Sequence, residues 1–207
     1  MKNLAECDVI YGDICCINQK SWFNYKQFIQ VNHIQGRGMN LYLVRHAAAI
    51  DRSHTIPEAY RYLTPEGRKA FRKSAKIAEK EGVLADLILS SPLIRAVQTA
   101  DILAERIGYQ GPVQIAEELS PGFEGRDLER LLATSASITG LALVGHEPDM
   151  GLLLAELLGI KVETSLKKGA IVSLTLEQKQ GSRKASFNWL VTGGKVMTSI
   201  VKAFPAA

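Results

Sequence analysis

The stretch Leu41-Tyr42-Leu43-Val44-Arg45-His46 constrains this chain more than any other, because an apolar run ends abruptly in a guanidinium and an imidazole. A short continuous apolar run reads as a buried strand, and a polar end marks where such a strand opens onto a site. The layout recurs downstream. Leu87-Ile88-Leu89-Ser90-Ser91-Pro92 is followed by Arg95, and Leu141-Ala142-Leu143-Val144-Gly145 by His146. Three apolar strands thus each deliver a basic or imidazole group just past their ends. Arg45, His46, Arg95 and His146 are therefore expected to meet at one anion-binding site.

Between these strands the pattern changes to helical. Thr64 is placed to cap a helix that Pro65 opens, Glu66 suits its positive end, and Gly82 stops it after about Glu81. Phe71, Ala75 and Ala78 fall on one face of it, with Lys and Arg on the other. A second helix is expected over about 92–107, carrying Arg95 in its first turn. A cation there opposes the helix dipole, so helix stability does not account for it. A short extended segment over 113–118 follows, then helices over about 126–135 and 148–158, with strand 140–145 between them. Two alternating segments, 170–176 and 186–191, flank a turn over Gln178–Lys184 that contains Gly181, and predict an antiparallel hairpin.

Strands alternating with helices imply an α/β fold. The expectation is a three-layer α/β/α arrangement with a mostly parallel central sheet and the hairpin at its C-terminal end. In such sheets ligands bind beyond the carboxyl ends of the strands, and all four named residues map to that edge. The irregular segment 47–62, holding Asp51, Ser53, His54 and Pro57, is expected to form a rim there.

The 207 residues fit one domain with an appendage. Residues 1–38 differ from the rest: they hold the three cysteines, Cys7, Cys15 and Cys16, and the aromatics Trp22, Phe23, Tyr25 and Phe28. They show no sustained period and end in Gly36-Arg37-Gly38. They are read as a poorly structured extension, or as sequence upstream of a true start at Met39, with the domain proper over 39–207. An odd cysteine count confined to that extension builds no disulfide framework. No apolar run suits a signal peptide or a membrane helix, so a cytoplasmic protein without membrane contact is expected. The net charge of +4 comes without a Lys/Arg patch interleaved with aromatics, which argues against a nucleic-acid partner and suits an acidic substrate.

Two guanidiniums match the oxygens of phosphate or carboxylate, and two imidazoles serve as nucleophile, base, anion ligand or metal ligand. A metal reading lacks a defined third ligand and would place a dication beside two arginines, so no metal and no cofactor are expected. Walker spacing and a G-x-S-x-G elbow are absent. What remains is phosphoryl transfer through a neutral histidine, with the cations stabilising charge on the transferring oxygens. A general acid for the leaving group is sought at Glu118 or Glu147 by position.

Taken together, Arg45-His46 after its strand, Ser90-Ser91-Pro92 with Arg95 and Gln98-Thr99, and Gly145-His146-Glu147-Pro148 resemble the histidine phosphatase superfamily. Leu63-Thr64-Pro65-Glu66-Gly67, the compact body and Phe187-Asn188-Trp189 resemble its SixA-type phosphohistidine phosphatases. The resemblance spans 39–192 and implies a phosphoglycerate mutase-like fold. It implies His46 as the nucleophile that becomes phosphorylated, Arg45, Arg95 and His146 as its phosphate-binding partners, and metal-free hydrolysis. It further implies a substrate phosphohistidine on a partner protein such as a histidine phosphotransfer domain. Glu118 resembles the acid of mutase-like members and is assigned that role beside His46, while Glu147 stands where the other branch carries its acid. Ala47 departs from the glycine usual after Arg-His; a left-handed backbone there would cost Ala about 1 kcal/mol, so ordinary backbone is expected.

Two other functions fit the same residues. One is a phosphatase or mutase for a small phosphomonoester, which would call for longer substrate-covering insertions than this chain has. The other is a non-catalytic module that binds a phosphorylated ligand.

Overall fold

A computed structural model describes residues 38–133, 138–160, 165–179 and 182–205. The expected extension, 1–38, lies outside these residues except for Gly38, as do 134–137 and the hairpin tip at 180–181.

Seven strands form one sheet: β1 Met39–Arg45, β2 Leu87–Ser90, β3 Gln114–Ile115, β4 Gly140–Gly145, β5 Ile171–Lys179, β6 Ser182–Thr192 and β7 Lys195–Met197. Their order is β3-β2-β4-β1-β5-β6-β7. The first four in that order run parallel, and β5, β6 and β7 continue the sheet antiparallel. The helices are α1 Pro65–Lys80, α2 Ile94–Ile107, α3 Gly125–Ala133, α4 Asp149–Leu158 and α5 Ile200–Ala203.

Alternation along β1 divides the core. Leu41 and Leu43 pack with Leu128, Leu131, Met150 and Leu153 on the face covered by α3 and α4. Tyr42 and Val44 pack with Phe71, Ala75, Ala100 and Leu103 beneath α1 and α2. This is the three-layer arrangement, with the sheet between two helical layers. β4 is buried along its whole length, so it reads as continuous rather than alternating apolar sequence. Each fully buried leucine of this kind, such as Leu143, stabilises the fold by about 2 kcal/mol.

The helix ends follow local chemistry. The Thr64 hydroxyl accepts the Gly67 N–H at 2.9 Å, and Pro65 opens α1. α2 starts at Ile94 rather than 92, since Leu93 is extended and its N–H goes to Ser91 Oγ at 3.3 Å. α2 and α4 end at Gly108 and Gly159, both left-handed. The hairpin strands run past the expected turn, pairing Glu177 with Lys184 and Lys179 with Ser182. Ladder bonds are made by the main chain, so pairing continues where apolar alternation has ended. The expected extended segment 113–118 shortens to β3, followed by a 3-10 turn over Glu117–Leu119. β7 and α5 were not expected. Among the described residues no helix is long and apolar enough to cross a membrane.

Candidate active site

Register brings the sequence-predicted residues together. Arg45 stands opposite Gly145 on β4, and Ser90 of β2 opposite Val144. The residues that follow, His46, His146 and Ser91, therefore emerge side by side at the carboxyl edge. Neighbouring strands lie about 4.8 Å apart, and the His46 and His146 rings are correspondingly 5.1 Å apart, tilted by 57°.

His46 is held in one tautomer. Its Nδ1 donates to its neighbour's carbonyl, Ala47 O, at 2.7 Å, and Arg95 Nε donates to its Nε2 at 3.3 Å. Nε2 therefore carries the lone pair. Burial lowers the His46 pKa to about 4, opposed by the Ala47 carbonyl and helped by Arg95, Arg45 and Lys168. The ring is neutral near pH 7.

His146 is oriented from the other side. Its Nε2 lies 2.8 Å from Ser91 Oγ, which itself accepts the Leu93 N–H. The Ser91 hydroxyl can donate to Nε2 or accept from it, so this contact fixes the ring's orientation and leaves Nδ1 facing the site without a partner. Burial first, then His46 and Arg95, lowers the pKa of His146 to about 3. Among the described residues, the buried side-chain atoms without a partner are Arg45 Nε, His146 Nδ1 and Thr192 Oγ1. Two of these three belong to the four-residue set. Buried polar atoms are ordinarily paired, and here an unpaired Arg45 donor and an unpaired His146 ring nitrogen stand beside a neutral imidazole, an arrangement able to take an anion.

The arginines are supported by the main chain and by acids. Arg45 Nη1 donates to Leu166 O, while Leu166 N donates to Glu147 Oε1 at 3.2 Å, so Arg45 and Glu147 share one residue as support. Arg95 is 4% exposed and rests on Glu58, a residue the sequence reading passed over. Gln98 and Thr99 also gain roles. Gln98 Oε1 accepts Leu63 N at 2.8 Å, pinning the rim to α2, and Thr99 Oγ1 accepts Ala47 N at 3.1 Å while donating to Arg95 O. Ala47 is 2% exposed and packs in the core on the α1 side.

The two candidate acids differ. Glu118 is exposed on its 3-10 turn, and among the described residues it makes no hydrogen bond or ion pair with Arg45, His46, Arg95 or His146. Glu147 is half-buried. Burial raises its pKa to about 7 against the Leu166 N–H and Arg45, which favour the anion. The carboxyl brought into the cluster is thus that of Glu147. His54 is exposed on the rim, and Trp189 packs in the core against Tyr42 with centroids 6.2 Å apart. Among the described residues no group of three or more His, Cys, Asp or Glu side chains is placed to hold a metal ion.

Residues 41–126 match the histidine phosphatase superfamily, branch 1. An uncharacterized protein of Picosynechococcus sp. is 39% identical over 116 residues, covering 55% of this chain and 69% of that protein. The chain belongs to the histidine phosphatase superfamily. Within it, phosphohistidine phosphatase SixA of Escherichia coli is 28% identical over 156 residues, 73% of this chain and 92% of that one. A structure of the protein histidine phosphatase SixA complexed with tungstate superposes with a TM-score of 0.66 at 26% identity, covering 74% of this chain and 97% of that one. The chain is therefore SixA-like in sequence and fold, and membership of the superfamily supports phosphatase activity.

Proposed function

We propose that the protein is a phosphohistidine phosphatase that removes the phosphoryl group from a histidine on a partner protein. The observation that carries the reading is His46 itself: a neutral imidazole with its Nε2 lone pair facing Arg95, 5.1 Å from a second ring whose Nδ1 lacks a partner.

In the first step His46 Nε2 attacks phosphorus. The Nε2–P bond forms as the P–N bond to the partner's imidazole breaks, and that imidazole leaves as a neutral base once it holds a proton. Arg45, Arg95 and His146 Nδ1 donate to the three non-bridging oxygens and stabilise their charge. In the second step water attacks the phosphorus on His46. The Nε2–P bond breaks, orthophosphate departs, and the proton of the water passes to a base. Glu147, with a pKa near 7, serves as that base and as the acid of the first step. The SixA relative was solved as a complex with tungstate, itself an oxoanion, which supports an oxoanion ligand here.

Phosphohistidine suits the geometry because its leaving group is an imidazole, a weak base that needs little acid assistance. Among the described residues the 47–62 rim is the segment set over the strand ends, a short cover that suits a substrate presented by another protein.

The test incubates the protein with a phosphohistidine-bearing protein, p-nitrophenyl phosphate and phosphoglycerate, beside His46→Ala. Release from phosphohistidine, lost in the variant, is expected. Undiminished turnover by His46→Ala would refute the mechanism. Preference for phosphoglycerate would assign a small-molecule phosphatase, and phosphate binding without turnover a non-catalytic module.

A further inference from the structure

Arg95 stands in the first turn of α2, where the helix dipole opposes a cation and nothing in the helix aims the guanidinium. Its aim comes from the rim. Nη1 donates to the main-chain carbonyl of Glu58 at 2.9 Å, and Nη2 lies 3.0 Å from Glu58 Oε1. One residue thus takes one N–H of each terminal nitrogen, leaving the second N–H of each for an oxoanion, while Nε stands on His46 Nε2.

Glu58 is itself fixed. Arg61 Nη1 contacts both of its carboxylate oxygens, at 2.8 and 3.1 Å, and Arg52 Nε reaches Oε2 at 3.2 Å. Arg61 in turn donates from Nε and Nη2 to the Ile50 carbonyl, at 2.9 and 2.7 Å. The Ile50 N–H pairs with Tyr62 O, and the rim closes at the Ala49–Leu63 bridge. A continuous chain of contacts therefore runs from the main chain of the rim through Arg61 and Glu58 to Arg95. Anchored in this way, the carboxylate is a support for Arg95 and not an anion competing for it.

We propose that Glu58 is the positioning residue for Arg95, holding the guanidinium so that its inner edge stays on the reacting face of His46. This rests on the reading of Arg95 as an oxoanion ligand. Bidentate recognition depends on the plane and direction of the guanidinium, which an unsupported arginine would sample at random. The carboxylate also offsets the burial of the cation, which lowers the pKa of Arg95 while Glu58 opposes the change.

A double-mutant cycle on the full chain tests this, with orthophosphate binding measured by calorimetry and folding checked by thermal unfolding. Glu58→Ala is expected to weaken orthophosphate binding by about tenfold, the scale of one hydrogen bond to a charged group. In an Arg95→Ala background the same change is expected to weaken it no further. Glu58→Gln keeps the shape and loses the charge, so a smaller loss is expected; it stands in if the alanine variant does not fold. Unchanged or tighter binding in the Glu58 variants would overturn the assignment. So would losses that simply add to that of Arg95→Ala, since a structural role acts independently of Arg95. No loss in Arg95→Ala itself would overturn the oxoanion reading of Arg95 and the role of Glu58 with it.

Discussion

Replacing Glu147 with glutamine separates chemistry that needs an acid from chemistry that does not. The amide oxygen still accepts Leu166 N, now bonded at 3.2 Å, so the support shared with Arg45 survives. What disappears is a carboxyl whose pKa lies near 7, raised chiefly by burial. An acid must be protonated to donate, so the wild-type rate on a substrate needing acid help falls as pH rises through about 7. The fall is about tenfold per pH unit above that value. A positioned general acid contributes about 10²-fold or more, equivalent to about 2.7 kcal/mol of barrier. For an alkyl phosphate, whose leaving alkoxide is a strong base, Glu147→Gln should lower kcat/KM by about that factor and remove the alkaline limb. For phosphohistidine, whose leaving imidazole has an ordinary pKa of about 6.5, the loss should stay within about threefold. The assay is kcat/KM from pH 4.5 to 9 on both substrates. An alkaline limb that survives in Glu147→Gln, or that vanishes instead in Glu118→Gln, would refute the assignment.

Three further outcomes follow from the same contacts. A Cβ on Gly67 would lie 2.1 Å from Ala48 O, a main-chain atom that cannot rotate away; Gly67→Ala should therefore destabilise by about 3 kcal/mol in denaturant unfolding. Thr99→Val removes the acceptor of Ala47 N and a donor to Arg95 O in a buried setting, and should cost about 2 kcal/mol in the same measurement, with lower activity from a displaced Arg95. The folded-state pKa of His146, about 3, lies below its ordinary 6.5, so the unfolded chain binds the proton first. Stability from this group is present above pH 6.5 and is lost as pH falls toward 3, and His146→Asn should flatten the acid side of a melting-temperature profile.

The sequence made the strand ends legible because register does the rest. Once β1 and β4 pair in parallel with Arg45 opposite Gly145, His46 and His146 must emerge together. Arg95 was detectable for a related reason, as a cation at a helix start that disfavours one. That same anomaly implied a nearby anion, and Glu58, three residues before Arg61, was the signal left unread. The acid was harder. Resemblance pointed to Glu118, and only burial separates that exposed carboxylate on a 3-10 turn from Glu147 beside Leu166 and Arg45. The hairpin strands ran on past their apolar alternation because main-chain pairing leaves no mark in side-chain hydropathy.

The proposed mechanism is covalent, and the site of phosphorylation in a quenched reaction tests it directly. The protein is mixed with a phosphohistidine-bearing substrate, quenched in alkali within one turnover, and mapped by mass spectrometry. Phosphate is expected on the peptide containing His46 and is expected to be absent in His46→Ala. Phosphate on His146, or turnover by a His46 variant with no phosphoenzyme at all, would contradict it.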